Sequence, residues 1–188
     1  MTPNSPLAAW ETFYVIVGSA AAALTGLQFV VIALVSDRQR ERRVRDASSG
    51  VEAFGTPQVL HFSAVLFFSA VIDAPWSSLL PVALIFSTCG FAGVAYVVII
   101  IRRAKMQRSY EPVLEDWIWH FILPFIAYLS LIPSAAMLSR YTPTSLYVMA
   151  ASSLLLLFCG IHNAWDTVTY LAVDVPANES APPAAKDH

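Results

Sequence analysis

The sequence predicts an all-α integral membrane protein, a bundle of five transmembrane helices with its N-terminus outside and its C-terminus inside. Hydrophobic residues make up 57% of the 188-residue chain and charged residues only 13%, and the mean hydropathy is +0.61. The apolar residues form five long stretches. A helix needs roughly 20 residues to cross a bilayer, so stretches of this kind are candidate spans. Basic residues are concentrated in alternate loops, and this asymmetry predicts the orientation.

The predicted spans form a single transmembrane domain, residues 1–172. They are Trp10–Val35, Pro57–Ile72, Ser78–Ile101, Trp117–Leu138 and Ser145–Ala172. The first span carries one formal charge, Glu11, and is too long for a signal-peptide core, so we expect an uncleaved anchor. The second is the shortest and begins with Thr56 and Pro57, a helix cap followed by a first-turn proline.

The last two spans have features of their own. The fourth contains Pro124 and Pro133, each of which leaves the carbonyl four residues earlier without its helical donor; for Pro124 this carbonyl belongs to His120. The fifth is longer than the hydrocarbon layer, so we expect it to tilt or to end in the interface. The tail, residues 173–188, is rich in proline and alanine and is predicted to be disordered and cytoplasmic.

The orientation follows from the first and third loops, which hold nine of the chain's eleven basic side chains. These are Arg38, Arg40, Arg42, Arg43 and Arg45, and Arg102, Arg103, Lys105 and Arg108. Such loops stay on the cytoplasmic side. The first loop also predicts contact with anionic lipid head groups. Its interleaved acidic residues, Asp37, Glu41 and Asp46, argue against nucleic-acid binding.

Small residues mark the faces on which the helices are expected to meet. Gly18, Ala22 and Gly26 recur every four residues on the first span, and Gly90 and Gly93 form a notch on the third. Packing within the chain is the favoured use of the first stripe. Contact between two copies in a homo-oligomer is the alternative.

A group of histidines and carboxylates is predicted near the cytoplasmic ends of the spans. A turn centred at Tyr141 places His120 and His162 at equal depth, each 21 residues away, and Asp116 and Asp166 level with each other, each 25 away. His61 lies about one turn inside the second span. Gln28 of the first span falls at a similar depth.

This constellation gives the predicted metal-ligand set. Its members are His61, His120, His162, Asp116 and Asp166. Such groups could bind zinc, iron or manganese, or they could relay a proton. Haem is the least favoured cofactor, because no attachment motif is present and axial ligation does not require aspartates. Alternatively, the groups hydrogen-bond to one another and the cluster is structural.

Four segments together resemble a family of small multi-span bacterial inner-membrane proteins that has no assigned activity. They are GSAAAALTGLQFVVIAL, TPQVLHF, EDWIWHFILPFIAY and GIHNAWDTVTY, at positions 18–34, 56–62, 115–128 and 160–170. The resemblance implies the architecture and a location in the bacterial inner membrane. It implies no substrate, cofactor or catalytic residue.

The leading functional hypothesis is a non-enzymatic membrane protein that binds a transition metal or a proton at the cluster, for sensing or transport. The second is an interaction or assembly subunit in which the cluster is structural. A membrane-embedded metalloenzyme is third, because the sequence contains no GxSxG, HExxH, Walker or GxGxxG motif.

Overall fold

The computed structural model describes residues 5–43, 56–106 and 114–169, and within these ranges all regular structure is helical. A short 3-10 turn, Ala8–Trp10, leads into α1. The helices are α1 (Glu11–Arg43), α2 (Thr56–Asp73), α3 (Leu80–Met106), α4 (Leu114–Trp117), α5 (Leu123–Ala136) and α6 (Thr142–Thr169). A single turn of π-helix, Ile118–Ile122, joins α4 directly to α5.

Four stretches of the described chain are long and apolar enough to cross a membrane. They are Ala8–Ala33, Leu80–Arg102, Ile118–Ala136 and Thr142–Thr169. The apolar part of α2, Gln58–Asp73, is shorter. Large apolar side chains at mid-helix face outward, among them Ile16 (64% exposed) and Phe91 (61%), as expected of surfaces that meet lipid.

The observed ends of α1 and α3 show that part of each predicted basic loop is helical. α1 continues past Val35 to Arg43, so the arginines assigned to the first loop as far as Arg43 lie on helical backbone. α3 likewise continues to Met106 and includes Arg102. Arginine, glutamine and glutamate are good helix formers, so a helix need not stop at the membrane boundary. Arg45, Arg108 and the predicted tail, 173–188, lie outside the described residues.

The helices pack in the spatial order α1, α2, α6, α5, α3, and each is antiparallel to the next. Gln28 bonds to Gln58 across the first pair, and Ser130 meets Ser152 across α5 and α6. α6 is central, with 56% of its apolar window buried against 22% for α1 and α3. We call the end at which α1, α3 and α6 finish the basic end, and the other the opposite end.

Glycines permit the closest helix contacts. A Cβ at Gly18 would lie 2.6 Å from Ser69 Cβ, and one at Gly160 would lie 2.5 Å from the Phe62 ring. A Cβ at Gly93 would overlap the Tyr128 ring, so the predicted notch on α3 receives α5. Gly26 has open space beside it. The predicted stripe on α1 therefore packs closely against α2 at Gly18, but not at Gly26.

Candidate functional site

A network of buried carboxamides joins three helices at the basic end. Nε2 of Gln28 on α1 donates to Oε1 of Gln58 on α2 at 2.7 Å. Nε2 of Gln58 in turn donates to the Asn163 carbonyl and to the Thr167 hydroxyl on α6, at 2.8 Å each. Gln28, Gln58 and Asn163 are 5%, 1% and 0% exposed. In an apolar surrounding, such bonds hold helices together because the alternative is an unpaired polar group.

His61 lies one turn from Gln58 on α2, and its imidazole is 1% exposed. Its Nδ1 is 3.1 Å from the Tyr128 hydroxyl on α5. His120 lies within electrostatic range of the same ring. Because the Tyr128 ring occupies the space over Gly93, α3 indirectly fixes the hydrogen-bond partner of His61. This pair is the deepest imidazole site of the described chain.

His162 on α6 forms a second, less buried site with α4 and the π turn. Its Nε2 is 3.2 Å from Oδ2 of Asp166 and 3.8 Å from Oε1 of Glu115. The nitrogen is itself shielded from solvent, and neither carboxylate is aligned to hydrogen-bond with it. Trp119 stacks on the imidazole, with ring centroids 4.1 Å apart and an interplanar angle of 22°. One imidazole thus sits under an indole and between two carboxylates.

The antiparallel register about Tyr141 is observed, but only beyond the π turn. Ser130 and Ser152, each 11 residues from Tyr141, lie opposite one another, and their hydroxyl oxygens are 2.7 Å apart. Within the turn, the ring stacked on His162 belongs to Trp119 instead of His120. The carboxylate near His162 belongs to Glu115, one residue before the predicted Asp116.

The π turn accounts for this displacement of one residue. Pro124 has no N–H to give to the carbonyl of His120, and the turn before it widens, so the N–H of Leu123 donates to Ile118, five residues back. A π turn inserts one residue into a helix. Every residue before it therefore occupies the place that the next residue would hold in an unbroken α-helix.

Four of the five predicted metal ligands have described side chains, and these lie in two places. His61 lies with His120 and Tyr128, while His162 lies with Asp166 and Glu115. The side chain of Asp116 is outside the described residues. Among the side chains that are described, no group of three His, Cys, Asp or Glu residues is arranged to hold a metal ion. Metal binding at the five residues stays a prediction.

Sequence reasoning missed Gln58, Tyr128, Asn163 and Thr167 as members of the site. The available signal was a carboxamide inside an otherwise apolar span, which is costly there and usually has a partner. Gln58 lies three residues before His61, and Asn163 directly follows His162. Nothing in either segment indicated that the two carboxamide residues face each other.

Comparison with protein-family models, with curated proteins and with solved structures finds no match to this chain. The family resemblance drawn from its four segments stays a prediction. Functional inference therefore depends on the geometry of the polar groups.

Proposed function

We propose that this chain is a non-enzymatic protein of the bacterial inner membrane that binds a proton at His162, in sensing or in transport. The observation that carries the proposal is the placement of His162 Nε2 within ion-pair distance of Asp166 and Glu115. A protonated imidazole would be attracted by both carboxylates, and histidine is the side chain whose charge most readily changes near neutral pH. The stacked indole of Trp119 adds a favourable surface for a cation.

The proposal includes five spans, with the N-terminus outside and the C-terminus inside. The 18 residues of α2 extend about 27 Å as a helix, close to the thickness of a thin hydrocarbon layer. α2 lies between α1 and α6, so a position outside the membrane would separate two longer apolar helices. The basic residues at the ends of α1 and α3 favour a cytoplasmic basic end and contact with anionic lipid there.

A transition metal is the second candidate ligand. Two atoms bound to one tetrahedral ion at about 2.0–2.1 Å lie roughly 3.3 Å apart, which is near the 3.2 Å between His162 and Asp166. Full coordination would need further ligands, for which Asp116 is the predicted source, since His120 lies with His61. The proton is favoured because it needs only the atoms already in place. A purely structural cluster in an assembly subunit and a membrane-embedded metalloenzyme rank below both.

The test is nitrogen NMR of histidine side chains in the protein reconstituted in nanodiscs. Because the chain has four histidines, single His→Gln variants assign each ring. We expect the ring nitrogens of His162 to show that its imidazole binds a proton. The Asp166→Asn variant should weaken proton binding at His162, because the nearer of the two carboxylates loses its charge. His188→Gln is the matched control and should change neither result.

A His162 ring that binds no second proton under any condition in which the protein stays folded would overturn proton binding. Metal analysis of the same preparations tests the second candidate. Stoichiometric zinc that disappears in the His162→Gln variant and persists in the control would favour the metal site.

A further inference from the structure

A groove opens between α5 and α6 at the opposite end of the bundle. Its volume is about 320 Å³, and its walls belong to these two helices and to the turn that joins them. Residues that line it include Ser130, Pro133 and Met137 on one wall, Thr144 and Val148 on the other, and Tyr141 in the turn. Val148 lies six residues after the start of α6, so the groove extends about 9 Å along the helix.

The walls of the groove suit a hydrocarbon chain. The hydroxyls of Ser130 and Ser134 donate to carbonyls of α5, at 2.9 Å each. The side chains of Met137 and Tyr141 are half exposed and supply apolar surface. Both helices of the groove belong to stretches long and apolar enough to cross a membrane, so the molecules that reach its walls are lipids.

Arg140 places a positive charge beside this groove. Its Cζ is 5.6 Å from the centroid of the Tyr141 ring, which lines the groove. This contact favours a guanidinium position near the groove. Among the described residues, the carboxylates at the opposite end are Glu11 and Asp73, which lie within electrostatic range of each other on α1 and α2. Neither forms an ion pair with Arg140.

The charges of the opposite end can be compared because its loops are described. The α2–α3 and α5–α6 loops lie wholly within the described residues. The two internal stretches outside them, 44–55 and 107–113, connect helix ends at the basic end, and the residues after Thr169 also continue from there. Residues 1–4 contain no carboxylate side chain. The positive charge beside the groove therefore has no neutralising carboxylate in the loops of this end.

We propose that the groove binds one phospholipid of the surrounding membrane, with an acyl chain between α5 and α6 and its phosphate at Arg140. The two parts of the site match the two parts of the lipid. A guanidinium pairs with phosphate oxygens through parallel hydrogen bonds, and Arg140 lies in the turn where both spans end, which is the level of the head groups. The inference is independent of proton binding at His162, which lies at the basic end.

A second groove at the same end supplies an internal comparison. It has a volume of about 490 Å³ and lies between the start of α1 and the start of α6, with Trp10 and Phe13 on one side and Tyr147 on the other. Among the described residues that line it, none is basic. This groove should accept acyl chains without selecting for a phosphate.

The experiment is photolabelling in nanodiscs with a phosphatidylglycerol that carries a diazirine in one acyl chain. Mass spectrometry of peptides gives the ratio of label on residues 130–137, in the α5–α6 groove, to label on residues 6–13, in the second groove. Two unlabelled competitors are compared, phosphatidylglycerol and a diacylglycerol with the same chains and no phosphate. We expect phosphatidylglycerol to lower the ratio and diacylglycerol to leave it unchanged.

Variants test the two parts of the site separately. Arg140→Gln should lower the ratio about fivefold, the effect of losing one basic contact with lipid phosphate. Arg102→Gln, at the basic end, is the matched control and should leave the ratio unchanged. Thr144→Phe should also lower the ratio, because its ring fills the α5–α6 groove. Thr88→Phe, which places the same ring on the exposed surface of α3, should not.

An unchanged ratio in Arg140→Gln would overturn the proposal. Equal competition by diacylglycerol would also overturn it, because the groove would then contact lipid without recognising phosphate. Cross-links between two copies of the chain through residues 130–148, in place of lipid label, would show that a second copy occupies the groove. The competition arms use the unchanged protein, so they decide the question even if a variant does not fold.

Discussion

The two ends of the bundle bury polar side chains in different ways. Towards the opposite end, four serine hydroxyls of α5 and α6 bond to carbonyls of their own helix. Ser134 donates to the Leu131 carbonyl and Ser153 to the Met149 carbonyl, both at 2.9 Å. Because these hydroxyl hydrogens are already used, the serines need no hydrogen-bond acceptor from a neighbouring helix. The serines can therefore act as small packing residues.

At the basic end, the buried groups are carboxamides and imidazoles, which do not hydrogen-bond to the backbone of their own helix. Gln58 reaches α1 on one side and α6 on the other, and His61 reaches Tyr128 on α5. Asn163 finds no partner among the described residues. Burial alone therefore does not mark a functional site in this protein. A buried polar group that hydrogen-bonds within its own helix can serve as a packing residue, whereas one that needs a partner from another helix is a candidate for chemistry.

The largest expected effect comes from the packing that positions Tyr128 at the basic-end site. A methyl group at Gly93 would overlap the Tyr128 ring, so Gly93→Ala should lower the free energy of unfolding by about 3 kcal/mol. The measurement is reversible unfolding in mixed micelles. Gly26→Ala is the matched control on a helix with open space and should cost nothing, or stabilise by up to about 1 kcal/mol. Equal destabilisation by both would contradict the close α3–α5 contact.

A smaller effect should follow loss of the bonds between helices. Gln58→Leu removes three hydrogen bonds and leaves Gln28 unpaired, so we expect a loss of about 2 kcal/mol in the free energy of unfolding. Ser134→Ala, which removes a hydroxyl bonded within its own helix, should cost less than about 0.5 kcal/mol. If the two variants were equally stable, the contrast between the two halves of the bundle would be wrong.

The smallest effect concerns the bond between the Ser130 and Ser152 hydroxyls, which joins α5 to α6. A double-mutant cycle with Ser130→Ala and Ser152→Ala should give a coupling energy of about 0.6 kcal/mol, typical of hydrogen bonds inside membrane proteins. The control cycle pairs Ser134→Ala with Ser152→Ala and should show no coupling, because Ser134 donates to Leu131. A coupling above about 2 kcal/mol would place the serine pair among the strong polar contacts of the basic end.

Helix positions were largely predictable because length and apolar content decide them. α2 begins at Thr56, as the cap and proline predicted, and all the helices except α1 and α3 end within three residues of the prediction wherever the chain is described. The two exceptions extend into basic segments where helix propensity, not hydropathy, decides the end. The antiparallel pairing of α5 and α6 was also predictable, since a short turn leaves few alternatives.

The membership of the site was less predictable. His162 and Asp166 meet as their spacing predicts, because residues four apart share a helix face. His61 is buried, but its contact is a tyrosine from α5 that no spacing in α2 could indicate. Gln58 and Asn163 were visible as polar residues in apolar spans, yet their pairing depends on the register between α2 and α6. No turn fixes that register, because α2 and α6 are not adjacent in the chain.

The sequence by itself determined which segments are apolar and helical, where the basic charges accumulate, and that α5 and α6 run side by side. Only the tertiary structure decided which side chains meet. Pro124 has no N–H to donate, and the turn before it is a π turn. As a result, Trp119 and Glu115 occupy the places expected of His120 and Asp116. Each residue turns a helix by about 100°, so a single inserted residue is enough to change every partner before it.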